Sequence, residues 1–178
     1  MNRFVIVFGC VLLAGPALAQ STGEKTGVNS VLGISPTTPD FVKEVATSDM
    51  FEIQSSKLAQ DKGNAAEKSL AGQMITDHTK TTSDLKALVS SGDVKAEIPG
   101  SLDDSSQKKL DKLRDTKPAD FASEYDPMQV SAHKDAVSLF ERYSKSGDNP
   151  KLKDWAGKTL PALQHHLEMA QALDKSRD

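Results

Sequence analysis

Four stretches of this chain, each more than twenty residues long, carry their apolar residues at the 3.6-residue period of an α-helix, and no stretch alternates as a strand would. Gly, Pro and Asn interrupt the period at Gly63-Asn64, Gly92 to Gly100 and Gly147 to Pro150. A helix with one apolar stripe has to bury that stripe against other helices, so the pattern restricts the fold to packed helices.

The first helix is expected to open at Thr38-Pro39-Asp40, with a hydroxyl cap, a proline whose missing N–H costs nothing in the first turn, and an acid near the positive helix end. It runs to about Lys62. Asn64 with Glu67 forms a capping pair for the second helix, whose stripe is Leu70/Ala71, Met74, His78, Leu85 and Leu88 up to Gly92. Ser101 with Asp104 is expected to cap a short helix carrying Leu102, Leu110 and Leu113. The third long helix, Pro118 to about Ser146, has Phe121, Tyr125, Val130, Val137 and Phe140 at helical spacing. Pro127 removes a hydrogen bond within it and crowds the carbonyl of Ser123, so the helix is expected to be interrupted there or to start afresh at Asp126. Asp148-Asn149-Pro150 opens the last helix, with Leu152, Trp155, Thr159, Leu163, His166, Ala170 and Leu173 in line and a kink expected at Pro161. The expected architecture is all-α: an antiparallel four-helix bundle, with an extra short helix in the middle crossover.

Ahead of the helices lie a basic start (Asn2, Arg3), an apolar run from Phe4 to Ala14, and Ala17-Leu18-Ala19, which together read as a secretory signal cleaved after Ala19. Residues 20–38, rich in Gly, Ser, Thr and Asn, read as a flexible tether, and residues 39–174 as the helical domain. The apolar run is shorter than the ~20 residues of a spanning helix, so no transmembrane segment is expected after cleavage. The single cysteine, Cys10, lies inside the leader, and Phe8 departs from the small residue that a lipoprotein cleavage box wants; the mature chain therefore offers no thiolate chemistry. The net charge of −3 becomes −4 once Arg3 is removed, dispersed along the chain, which argues against nucleic acid as a partner.

Each long helix carries a potential metal or proton ligand on its apolar stripe. Val45, Glu52 and Ala59 are seven residues apart, as are Ala71, His78 and Leu85; His133 lies on the line of Val130, Val137 and Phe140, and His166 on that of Leu163 and Ala170. Counted from the turns at Gly63 and Gly147, the levels within each helical hairpin differ by only ~6 Å at 1.5 Å per residue. One central cluster of Glu52, His78, His133 and His166 follows.

Such groups are costly to bury unpaired, so they demand either mutual hydrogen bonds or a cation. Two readings stay open: a binding module for one transition-metal ion (Zn, Fe, Mn or Cu), or a polar core satisfied by hydroxyls such as Ser48, Ser55 or Ser56, in an envelope structural or stress-associated protein that needs no cofactor. Asp77 and His165, each next to a stripe histidine and about 100° round the helix from it, are candidates for the layer behind the ligands. Met74 and Met169, within a turn of His78 and His166, keep copper as an option. Redox or hydrolytic catalysis would need an open coordination position. No Ser-His-Asp spacing, phosphate loop or paired buried acid supports a conventional enzyme.

Asp40-Phe41-Val42, Glu52 with Lys57-Leu58-Ala59, Asp77-His78-Thr79-Lys80, Phe121 with Tyr125, Gln129-Val130 with His133, and Leu160-Pro161 with His166-Leu167 together resemble the DUF4142 family over about Pro39 to Leu173. The resemblance implies a ferritin-like helical fold and an exported bacterial protein of the periplasm or outside, often labelled an outer-membrane protein. It also suggests metal binding, with Glu52, Asp77, His78, His133 and His166 at signature positions. Ala122, where an acid often follows the Phe, and Pro127 depart from the family pattern. The di-iron pattern of ferritin-like proteins wants Glu three residues before His, but Ile75 and Leu163 stand there, which argues against iron storage.

Overall fold

A computed structural model describes residues 28–176, and all regular structure among them is helical. The leader, Cys10 and the start of the tether lie outside the described residues. A short α1 (Val28–Leu32) precedes α2 (Thr38–Lys62), α3 (Ala65–Ser90), α4 (Asp104–Asp115), a 3₁₀ turn (Pro118–Asp120), α5 (Phe121–Ser146) and α6 (Pro150–Lys175).

The helix ends follow from local chemistry. Asn64 Oδ1 accepts from the N–H groups of Ala66 and Glu67, while Glu67 Oε2 accepts from the Asn64 N–H at 2.7 Å, a reciprocal capping box at the start of α3. Asn64→Ala is expected to cost about 1 kcal/mol, read as a lowered urea midpoint at unchanged slope. Two caps sit elsewhere than the sequence suggests: Thr37, not Thr38, caps α2, and Asp103, not Ser101, caps α4 by accepting from Ser105 and Ser106. In both cases a competing oxygen one or two residues away has the extended backbone that a cap requires.

Gly63 and Gly147 are needed for close approach, because a Cβ on either would stand 2.6 Å from a backbone oxygen of the preceding turn, Ala59 O or Tyr143 O. These tight turns make two antiparallel hairpins, α2 with α3 and α5 with α6. The hairpins join through α2 against α5 and α3 against α6, more lightly than each hairpin is packed within itself. The crossover helix α4 lies mainly on α2. Lys62 Nζ donates to the carbonyls of Leu113, Arg114 and Thr116, holding a cation where the α4 dipole is negative. The stretch expected to lack helix contains α1, whose Ser30 Oγ lies 3.2 Å from Ser138 Oγ of α5, and just beyond it Arg142 Nη1 donates to Ile34 O at 2.6 Å.

Pro127 and Pro161 do not break their helices. The carbonyls they leave without a helical partner belong to Ser123 and Gly157, both exposed residues, where solvent is at hand to take the place of the lost bonds. The buried face of α5 is also rotated from the expected one: Val130 and Val137 are flanking and half-buried, while Tyr125, Gln129, Ala136 and Phe140 face inward. His133 belongs to both stripes and stays inside.

Two apolar clusters fill the interior. One gathers Phe41, Val42, Val45, Leu85, Phe140, Tyr143, Leu152 and Leu163; the other gathers Phe51, Ala59, Ala71, Leu110, Leu113, Phe121 and Tyr125. Along every long helix the residues of the first cluster lie toward one end, and on α2, α3 and α5 those of the second lie toward the other. Between them is a polar layer.

Candidate metal centre

That layer contains Asp49, Glu52, Ser55 and Ser56 from α2, His78 from α3, Asp126, Gln129 and His133 from α5, and His166 from α6, all buried. Helical spacing puts them there. Val45, Asp49, Glu52, Ser56 and Ala59 follow one another at steps of four and three, as do Gln129, His133, Ala136 and Phe140, so polar and apolar residues share a face and differ only in height.

The three histidine rings form a nearly equilateral triangle, with centroids 5.5–5.6 Å apart. One ring nitrogen of each is held from outside. His78 Nδ1 is 2.8 Å from Asp49 Oδ1, and Asp49 Oδ2 accepts from Thr82 Oγ1 at 2.9 Å. His133 Nδ1 is 2.9 Å from the carbonyl oxygen of Gln129, one turn earlier in its own helix, and His166 Nε2 is 2.8 Å from Asp77 Oδ2. A carbonyl oxygen only accepts, so His133 Nδ1 carries the hydrogen and Nε2 a lone pair; in neutral rings the carboxylates impose the same sense on the other two.

The second nitrogens, His78 Nε2, His133 Nε2 and His166 Nδ1, are buried without a protein partner, and the Glu52 carboxylate has only the Gln129 amide near it, short of a well-formed hydrogen bond. Each unpaired buried group costs about 1–3 kcal/mol, so three imidazole nitrogens without a protein partner make this layer costly to bury as it stands. One ligand nitrogen from each histidine lies within 4.8 Å of the other two, making a buried group that can hold a metal ion.

Protonation follows from burial and charge. Burial, with the neighbouring His78 and His166, pushes His133 down to about 3 despite the Gln129 carbonyl. Burial also lowers His166 against the pull of Asp77. For His78 burial opposes the proton, but the hydrogen bond and charge of Asp49, with the charges of Glu52 and Asp77, outweigh it and raise the value. Burial lifts Asp49, and lifts Glu52 to about 7 although His78 and the Gln129 amide favour its charged form.

Of the residues singled out in the sequence, His78, His133 and His166 meet. Glu52 stands beside them, close enough for its charge to act on His78, but outside the tight set of three. Asp77 lies behind His166. His165 does not: its side chain is 60% exposed and 3.9 Å from Glu168, because one residue along a helix turns 100° toward solvent. Asp49 and Gln129 are parts that the seven-residue spacing overlooked. Level counting could have found Asp49, fourteen residues before Gly63 where His78 is fifteen after, a closer match than Glu52.

The profile of the DUF4142 family, described as a domain of unknown function, matches residues 23–173. The chain belongs to the DUF4142 family. No curated protein and no solved structure matches it. Of the sequence positions that carry the DUF4142 resemblance, Glu52, His78, Gln129, His133 and His166 lie in this layer, and Asp77 is bonded to His166 from its edge.

Proposed function

We propose that this DUF4142 domain is a metal-binding module: an antiparallel four-helix, ferritin-like bundle that holds one transition-metal ion on His78, His133 and His166, with Glu52 supplying an anionic oxygen. The carrying observation is that three buried imidazoles, each with one nitrogen hydrogen-bonded from outside and the other without a protein partner, bring a ligand nitrogen apiece within 4.8 Å of one another. Behind metal-bound histidines such carboxylate and carbonyl partners fix the tautomer and strengthen the ligand. The nitrogen and carboxylate donors suit Zn, Fe, Mn or Cu. Ligands on a tetrahedral ion with bonds of about 2.0–2.1 Å stand ~3.3 Å apart, so binding draws the rings inward. Burial of all three rings favours holding an ion over turning over a substrate.

Untagged protein stripped with chelator and titrated with Zn²⁺, Co²⁺, Mn²⁺, Fe²⁺ and Cu²⁺ is expected to take up one equivalent of at least one of them. With the ion at a hundred times its Kd, stability should rise by about 2.7 kcal/mol, a melting shift on the order of 5–10 °C. His78→Ala should weaken binding by more than the roughly 10–100-fold that loss of an outer partner costs. No uptake and no thermal shift with any of the five ions refutes the assignment. The leader motif supports export to the periplasm, and N-terminal sequencing of protein recovered from that compartment should begin at Gln20.

A further inference from the structure

The three histidines are not equally fixed. His78 is held by a carboxylate that is itself buried, 4% exposed, and tied to Thr82. His133 is held by a backbone carbonyl of its own helix, which cannot move without the helix. His166 is held only by Asp77, whose side chain is 38% exposed while the ring is 2% exposed. The hydrogen bond between Asp77 and His166 therefore runs from solvent to the buried triangle, and it crosses from α3 to α6 between the two hairpins, where packing is lighter than within either. On the α6 side, Pro161 lies five residues before His166, so the turn that precedes the ring has one helical hydrogen bond fewer, at the Gly157 carbonyl.

From this asymmetry, and resting on the metal-binding reading above, we propose that the ion enters and leaves through the seam between α3 and α6, with Asp77 as the carboxylate that captures a divalent cation from solvent and His166 as the ligand that swings to admit it. His78 and His133 form the fixed half of the site. The contraction that a bound ion requires is made by the His166 ring, since only its anchor can follow without displacing a buried group. Asp77 is a positioning residue for His166 in the closed site and the first contact for the cation in the open one. The cation then meets, in order, a half-exposed carboxylate, a movable imidazole and two fixed imidazoles.

The test is the rate of Co²⁺ binding to the full mature chain, followed by d–d absorbance after rapid mixing, for the wild type, Asp77→Asn and Asp49→Asn. Asparagine retains one oxygen that accepts from histidine, so each variant keeps the bond to its imidazole and loses the charge; in Asp49→Asn the amide nitrogen faces Thr82 Oγ1, which turns to accept, and an unchanged helical CD spectrum checks the fold. Asp77→Asn is expected to slow association at least about tenfold at low salt and to flatten its dependence on ionic strength, as loss of a steering charge does. Asp49→Asn, equally close to a ligand but buried, should leave the association rate and its salt dependence near wild type and act on dissociation. Equal association rates in the two variants, or a full salt dependence surviving in Asp77→Asn, overturns the seam as the route while leaving the metal site standing. Absence of Co²⁺ binding by the wild type, with Zn²⁺ and Cu²⁺ also refused, overturns the site and the route together.

Discussion

Replacing Glu52 by Gln should turn a shallow dependence of stability on pH into a steep loss in acid, in protein kept free of metal. His133, neutral in the fold down to about 3 against an ordinary 6.5, costs nothing above 6.5, where both states are neutral. Below that the unfolded chain takes the proton and the native one does not, so the folded-to-unfolded ratio falls about tenfold per pH unit. Glu52 has the opposite sign. Raised from 4.5 to about 7, its contribution is whole below 4.5 and is lost as pH rises through 7, because over that range the native carboxyl keeps a proton that the unfolded one has released.

Between 4.5 and 6.5 the two slopes cancel. Without Glu52 the contribution of His133 is no longer offset by it, and over that window this one group lowers the ratio by about a hundredfold, roughly 3 kcal/mol. His133→Gln should do the reverse, gaining stability as pH falls from 7 to 4.5. The lowered His166 adds to the loss on the acid side in both variants, and the raised His78 and Asp49 add losses as pH rises in both. Urea midpoints from pH 7.5 to 4.5 with chelator present measure the divergence. Parallel profiles for the two variants would mean that the groups are hydrated in solution and the layer is not sealed.

The second large effect belongs to the apolar cluster. Phe41 is fully buried, stacked on Tyr143 with ring centroids 4.0 Å apart, and edge-on to Phe140 at 5.1 Å and to Trp155 at 6.4 Å. Phe41→Ala removes aromatic area and leaves a cavity walled by rings from α5 and α6 that cannot collapse together. A loss of about 3–5 kcal/mol is expected, lowering the melting temperature on the order of 10 °C. Leu32→Ala, at a side chain 65% exposed, should change stability by less than about 0.5 kcal/mol. Thermal melts of the two variants make the comparison, and a loss below about 1 kcal/mol for Phe41→Ala would show that this end of the bundle is loosely packed.

Much of the fold was legible because it is written locally. Helix periods, the Asn64 and Glu67 capping box and the turns at Gly63 and Gly147 depend on residues within one or two turns of each other, and so do the inward positions of His78 and His166 on their stripes. Where two local solutions are nearly equal, the sequence misplaced the answer by a small step. Thr37 and Thr38 offer the same hydroxyl, and Val130 and Gln129 lie on adjacent lines of one helix, so which line faces inward is decided by the partner helices. Pro127 looked disruptive because its neighbours in space were unknown; Ser123 is an exposed residue, which lessens the cost of the lost hydrogen bond.

The site divides in the same way. That each long helix carries a ligand-type residue on its inner face was determined by the sequence alone, since it needs only the period. Which nitrogen of each ring is held from behind, that Asp49 rather than Glu52 anchors His78, that His165 faces water, and that three lone pairs converge in one buried layer were decided only by tertiary structure. Those properties depend on the relative height and rotation of helices far apart in the chain. A helix can slide by one residue, 1.5 Å, without changing its own periodicity, whereas a shift of that size decides whether two polar atoms meet at hydrogen-bond distance or miss.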